Sequence, residues 1–261
     1  MRPGRSALWL LVPAVLAVAL VVLPLVGLLQ KTPWSDLGHE LASSQARQAL
    51  LLSLECSLGA LAISAVLGVP LAWILARLEF RGRPLVRALV TLPLVLPPVV
   101  GGVALLYAFG RQGFAGRPLA NLTGITLPFT TWGAILAETF VAMPFLVIAA
   151  EAGFRQVDSR YEEAAATLGA RPRLRFRRVT LPLVAPALAA GAALCWARAL
   201  GEFGATITFA GNLPGKTQTM PLAVYVALQT EPAAAVALSL VLLAVSLVVL
   251  VGLRERWLQA S

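Results

Sequence analysis

Residues Asp158 to Pro182 read DSRYEEAAATLGARPRLRFRRVTLP. This is the most polar stretch of an otherwise apolar chain, with six arginines, two glutamates and a run of alanines between hydrophobic blocks. Asp158, Glu162 and Glu163 complement the positive end of a helix dipole. Ser159 to Glu162 has the spacing of a capping box, in which the serine accepts from a backbone amide and the glutamate reaches back. Alanine is the strongest helix former, Gly169 suits a left-handed C-cap, and Pro172 forbids continuation. The spacing predicts a helix of about two to three turns from Arg160 to Leu168, with Tyr161, Ala164, Ala165 and Leu168 on one face. A helix this short is marginal alone. It needs a surface to pack on, either its own neighbouring helices or a partner's groove.

The rest of the chain says where that helix sits. Of 261 residues, 59% are hydrophobic and 13% charged, about half the charge of a soluble domain. The apolar residues are bunched into blocks of the length a bilayer-crossing helix needs. A membrane β-barrel would show short segments of alternating polarity, which are missing from the sequence. Composition therefore predicts an all-α integral membrane protein. The net charge of +9 would suggest nucleic acid in a soluble protein, but the basic residues lie between apolar blocks and serve orientation instead. Cys56 and Cys195 both fall inside apolar blocks, and neither a disulfide framework nor metal-ligand spacing is present.

Six transmembrane helices are expected, at about 8–29, 47–76, 88–109, 132–151, 184–210 and 233–253, in a single transmembrane domain over residues 1–261. The polar loop 155–182 lies between the fourth and fifth. Arg2 and Arg5 precede an apolar run too long for a signal-peptide core, so the first helix reads as uncleaved. Residues 31–45, 110–130 and 211–231 read as loops on the opposite side. Pro93, Pro97, Pro98, Gly101 and Gly102 interrupt the third span. Such breaks survive in a membrane only where neighbours or a cavity satisfy the freed backbone. This segment is either a kinked packing helix or part of a pathway lining. Fifteen Lys and Arg fall on the side of the termini and of loop 155–182, against five on the other. The positive-inside rule then puts both termini and that loop in the cytoplasm.

With that placement, the stretch resembles the signature of ABC importer permease subunits. The signature is E-A-A, three residues, G, nine residues, then an aliphatic residue, one residue and L-P. Glu163-Ala164-Ala165, Gly169 and Val179-Thr180-Leu181-Pro182 meet every spacing, with Val179 where isoleucine is commoner. The resemblance implies a type I importer permease fold whose short cytoplasmic helix is a coupling helix, seated in a cleft of a separate ATPase. It implies docking by Tyr161, Glu162, Glu163, Ala164, Ala165, Leu168 and Gly169. The implied partners are a second copy of the chain, two ATP-binding subunits and an external binding protein. Arg171, Arg173, Arg175, Arg177 and Arg178 either anchor the next helix at lipid headgroups or touch the ATPase.

Gly211 to Thr217 reads GNLPGKT and superficially suggests a phosphate-binding loop. It has three residues between the glycines where four are required, and it falls on the outer side. The chain is therefore expected to bind no cofactor and to carry no catalytic residue or metal site, with ATP used by the partner subunit. A secondary transporter would have no need of a docking helix. A membrane enzyme would need convergent catalytic groups, which one histidine and two separated cysteines do not supply.

Gly201-Glu202-Phe203-Gly204-Ala205-Thr206, the continuation through AGNLPGKTQT to Tyr225, and Leu92 to Pro98 are similar to the molybdate branch of these permeases. Sulfate and thiosulfate permeases share a related G-E-F/Y-G segment without the same continuation. Tungstate matches molybdate in size and charge, so this subunit is expected to treat the two alike. The implied setting is the cell membrane of a bacterium or archaeon. Pathway or gate candidates are Pro97, Pro98, Arg198, Glu202, Phe203, Gly204, Thr206 and Thr208. Hydroxyls, amides and arginine suit an oxyanion. Arg198 and Glu202, four apart, can instead pair across one turn, which offsets the cost of charge in a membrane. Glu55 and Glu138 are expected to reach interfacial water or to pair locally.

Overall fold

The computed structural model describes residues 8–258 and is all-helical over them. Arg2 and Arg5, and the side chains of Arg254 and Arg256, lie outside the described residues. Among the described residues, four helices are long and apolar enough to cross a membrane: Trp9–Gln30, Ser44–Arg77, Thr131–Gln156 and the continuous run Pro172–Leu200.

In chain order, α1 is Leu8–Gln30, α2 Leu37–Ala42 and α3 Ser44–Arg77. Ser43 caps α3 by accepting from the Ala46 amide at 3.2 Å, so the helix starts three residues before the expected 47. The expected third span is two helices, α4 Arg83–Val95 and α5 Pro98–Phe109. Consecutive prolines cause the break. Proline has no N–H and pushes the preceding residue into extended backbone, and Leu96 and Pro97 have ψ of 130° and 132°.

A short helix, α6 Gly116–Thr123, lies within the segment read as an outer loop. Next come α7 Thr131–Gln156 and α8 Ser159–Thr167. One turn, α9 Pro172–Arg175, runs through a π-turn at Phe176–Thr180 into α10 Leu181–Leu200. The expected fifth span does not continue to 210. It stops at Gly201, and α11 Gly204–Phe209 begins after a three-residue break. Segment 211–231, expected to be loop, contains α12 Met220–Thr230, whose Met220, Leu222 and Ala223 are buried. Eleven residues are too few to span, which is why composition left it among the loops. Helix α13, Pro232–Leu258, completes the chain.

The core forms around α7, which packs against α3 on one side and α10 on the other. The seam is made of small residues, with Ala137, Ala142 and Ala150 of α7 fully buried. In a membrane, small residues replace hydrophobic collapse as the packing device because they let backbones approach closely. Around the bundle, large apolar side chains such as Leu20, Val66, Leu67 and Val95 are exposed, which suits lipid.

Candidate functional site

At the arginine-rich end of the bundle, α8 is shaped by its caps. Asp158, not Ser159, is the N-cap, with Oδ1 accepting from the Arg160 amide at 2.9 Å. The expected capping box is therefore not formed. Gly169 closes the helix at φ +80°. The Gly169 amide donates to Ala166 O at 2.9 Å and the Ala170 amide to Ala165 O at 3.0 Å, the paired bonds of a Schellman end. A side chain at that φ is strained, so the glycine is required there.

No residue of α8 is buried. Tyr161 is 60% and Leu168 88% exposed, and Glu163, Ala164 and Gly169 are exposed beside them. Glu162 and Ala165 instead turn toward the chain's own bundle. Glu162, grouped by the resemblance with the docking residues, has its carboxylate engaged internally. Its Oε1 accepts from Thr180 Oγ1 at 2.8 Å and from Arg77 Nη2 at 3.2 Å. Nearby, Glu151 is 7% exposed and is held by Arg87 and Arg155, each at 2.6 Å. Arg77, Arg87 and Thr180 were missed as site residues because their partners are remote in sequence.

The second cluster sits where the two helix breaks meet. Arg198 Nη2 and Glu202 Oε2 are 2.6 Å apart, paired as charges without hydrogen-bond alignment. Glu202 is 1% exposed, and its Oε1 accepts from the Ala205 amide at 2.8 Å. The glutamate thus caps the start of α11 while neutralising the arginine across the break. Phe203 packs against Tyr225 of α12 with the rings tilted by 56° and their centroids 5.2 Å apart. Thr206 is fully buried, and Thr208 donates to Gly204 O at 2.8 Å. Thr208 is half-buried, and the buried Thr206 Oγ1 has no hydrogen-bond partner among the described residues. Pro97 and Pro98 are exposed on the neighbouring break.

Gly102 and Gly204 let the two breaks interlock. A Cβ on Gly102 would lie 2.6 Å from Thr208 Cβ and 2.8 Å from Ala205 O, and one on Gly204 would lie 2.8 Å from Pro98 Cβ. Overpacking of this kind costs about 1–3 kcal/mol. Gly102→Ala is therefore expected to lower the melting temperature of the detergent-solubilised subunit by roughly 2–10 °C. Gly27→Ala in α1, where nothing lies within 4 Å, is expected to leave it unchanged or raise it. Differential scanning fluorimetry reads both.

Glu138 is 1% exposed on the central helix, and its Oε2 has no hydrogen-bond partner among the described residues. The expectation that it reaches water or pairs locally is corrected, since α7 lies inside the bundle. Glu55 is exposed. The loop Gly211–Thr217 is a compact turn, with Thr217 fully buried and its Oγ1 accepting from the Leu213 amide at 2.9 Å. At the same end, Arg111, Gln112, Arg117, Asn121 and Thr126 line a cavity of about 710 Å³, and the sequence has no acidic residue from 80 to 137.

The family model described as binding-protein-dependent transport system inner membrane component matches residues 68–259. Molybdenum transport system permease protein ModB of Mycobacterium tuberculosis is 46% identical over 248 residues, covering 95% of this chain and 94% of the relative. The ModB protein of Escherichia coli is 43% identical over 211 residues, covering 81% and 92%. Sulfate transport system permease protein CysT of Salmonella typhimurium is 39% identical over 235 residues, covering 88% and 84%. Among solved structures, a bacterial ABC transporter involved in the import of the acidic polysaccharide alginate is similar with a TM-score of 0.72 at 20% identity, covering 95% and 94%. The MetNI methionine ABC transporter is similar with a TM-score of 0.58 at 17% identity, covering 82% and 99%.

Proposed function

The chain belongs to the family of binding-protein-dependent transport system inner membrane components, and on that premise we propose that it is the membrane-spanning subunit of an ATP-driven importer of molybdate. The near full-length likeness to ModB proteins carries the choice of cargo.

Two copies enclose the pathway, and two ATP-binding subunits meet the outward face of α8 from the cytoplasm. An external molybdate-binding protein delivers the anion from the other side. The chain lies in the cell membrane of a bacterium or archaeon with both termini cytoplasmic, as the fifteen-to-five distribution of basic residues supports. It binds no nucleotide itself. The exposed Tyr161, Ala164 and Leu168 support the docking assignment, because a large apolar side chain left open on a short polar helix is what a partner groove covers. Arg171, Arg173, Arg177 and Arg178 are exposed around it and suit anionic headgroups. The acid-free basic cavity at the opposite end suits an anionic cargo arriving there.

Closure of the ATPase pair moves α8, and the bundle alternates between outward and inward openings without chemistry on the anion. The interlocked breaks at 96–97 and 201–203 are where the backbone can rearrange with the smallest loss of helix hydrogen bonds. Sulfate is the second reading, favoured by the CysT likeness. ATP-dependent uptake into proteoliposomes, with the cognate ATPase and binding protein, separates the two. Molybdate and tungstate are expected to accumulate at similar rates and sulfate much more slowly. Preferred sulfate uptake would overturn the choice of cargo, and uptake driven by an ion gradient without ATPase would overturn the importer reading.

A further inference from the structure

We infer that Glu162 is a positioning residue of the transport cycle: its carboxylate clasps α8 to the ends of three membrane helices, so that a displacement of α8 is passed into the bundle. This rests on the reading of the chain as an ATP-driven importer subunit.

The geometry of the clasp is specific. Glu162 Oε1 receives Thr180 Oγ1 at 2.8 Å and Arg77 Nη2 at 3.2 Å. The same Arg77 nitrogen donates to Val157 O at 3.1 Å. Arg77 ends α3, Val157 is the C-cap of α7, and Thr180 closes the π-turn that feeds α10. One carboxylate oxygen and one guanidinium nitrogen thus join α8 to the ends of α3, α7 and α10. These are the helices that form the core seam.

Packing offers α8 little else. It buries no residue of its own, and its neighbours are α9 and the π-turn. A short polar helix without a buried face is held by what its side chains grip. The grip is shielded as well, since Thr180 is 2% exposed and the Arg77 and Glu162 side chains are 20% and 28% exposed. Charge-assisted bonds in such a setting are stronger than neutral ones and are screened less by salt than surface pairs. The π-turn matters too. Its Leu181 amide donates to Phe176 O, a wider step than the α-helical one, and such turns often mark functional positions. Phe176 stacks on Phe154 of α7, ring centroids 6.4 Å apart, so the turn is anchored on its other side.

The outward residues Tyr161, Glu163, Ala164 and Leu168 do not take part in the clasp. Docking and transmission are therefore divided between the two faces of one helix, and they can be separated by mutation. The experiment uses the complex of permease, ATPase and binding protein in proteoliposomes, with molybdate as the probe. ATP hydrolysis and uptake are measured together. For Glu162→Ala, the ATPase subunit is expected to co-purify at the wild-type ratio and to hydrolyse ATP. Molybdate taken up per ATP is expected to fall roughly tenfold, equivalent to about 1.4 kcal/mol of lost coupling. Glu162→Gln keeps an acceptor for Thr180 and is expected to recover part of the loss. Thr180→Val removes one leg of the clasp at similar shape. It is expected to lower uptake per ATP several-fold and decides the matter should Glu162→Ala fail to accumulate. Unchanged uptake per ATP in Glu162→Ala or Thr180→Val would overturn the proposal. Loss of the ATPase subunit from Glu162→Ala would also overturn it, by placing Glu162 in docking. A wild-type complex without ATP-dependent uptake would instead refute the importer reading on which the clasp rests.

Discussion

Leu168→Glu is expected to abolish ATP-driven uptake while leaving the isolated subunit as stable as the wild type. The side chain is 88% exposed in the single chain. Its replacement therefore removes no internal contact, and exposed substitutions of this kind change stability by about 0.5 kcal/mol or less. On the proposed docking of α8, the same position lies in the ATPase groove of the assembled importer. A carboxylate carried into an apolar pocket without a partner meets a desolvation cost, and truncation of a central anchor residue alone costs about 2 kcal/mol or more. Association with the ATPase should weaken by roughly thirtyfold or more. Pull-down of the ATPase subunit and a melting curve of the permease alone read the two halves. A Leu168→Glu subunit that retains the ATPase would place the docking face elsewhere on the loop. One with a lowered melting temperature would show that Leu168 packs inside the subunit.

Much of this helix was legible in the sequence because its determinants are local. Alanine content, Gly169 and Pro172 fix a short helix and its end, and the helix found at Ser159–Thr167 lies within one residue of the expected range. The cap was misassigned by one residue. Asp158 and Ser159 are both good caps, and only the backbone path from α7 decides between them. The direction of Glu162 was not legible. Its partners lie 85 and 18 residues away in sequence, and no local pattern points to Arg77 or Thr180.

The helix breaks divide in the same way. Pro97 and Pro98 announce the first, because proline acts on its own residue and the one before it. The second, at 201–203, has only Gly201 and Gly204 as local signals. Hydropathy passes through them unbroken, which is why a single span to 210 was expected. What stops the helix is the Glu202 carboxylate turning back to cap the Ala205 amide, together with the close approach of α5 that Gly102 and Gly204 permit. Helix α12 was missed because eight apolar residues, Pro221 to Leu228, are too few to announce a span and too many for a turn.

Arg198→Ala is expected to destabilise the subunit severely, and far more than Glu202→Gln. The two partners are not equivalent. Glu202 is 1% exposed, whereas the Arg198 side chain is 28% exposed. Deleting the arginine strands a buried carboxylate, the case in which breaking a pair costs about 3–5 kcal/mol. Deleting the charge on the glutamate strands less, since the Arg198 side chain is 28% exposed and a glutamine still offers Oε1 to the Ala205 amide. The expected loss for Arg198→Ala is roughly 6–20 °C in melting temperature. Glu202→Gln should lose only a few degrees, and the Arg198→Ala/Glu202→Gln double variant should recover much of the difference. A double-mutant cycle on melting temperature and yield of folded protein reads that coupling directly. If instead all three variants remain stable and all three lose uptake, the pair acts on the passing anion rather than on the break. The ordering of the three therefore decides whether this intramembrane charge pair holds the pathway in shape or forms part of its lining.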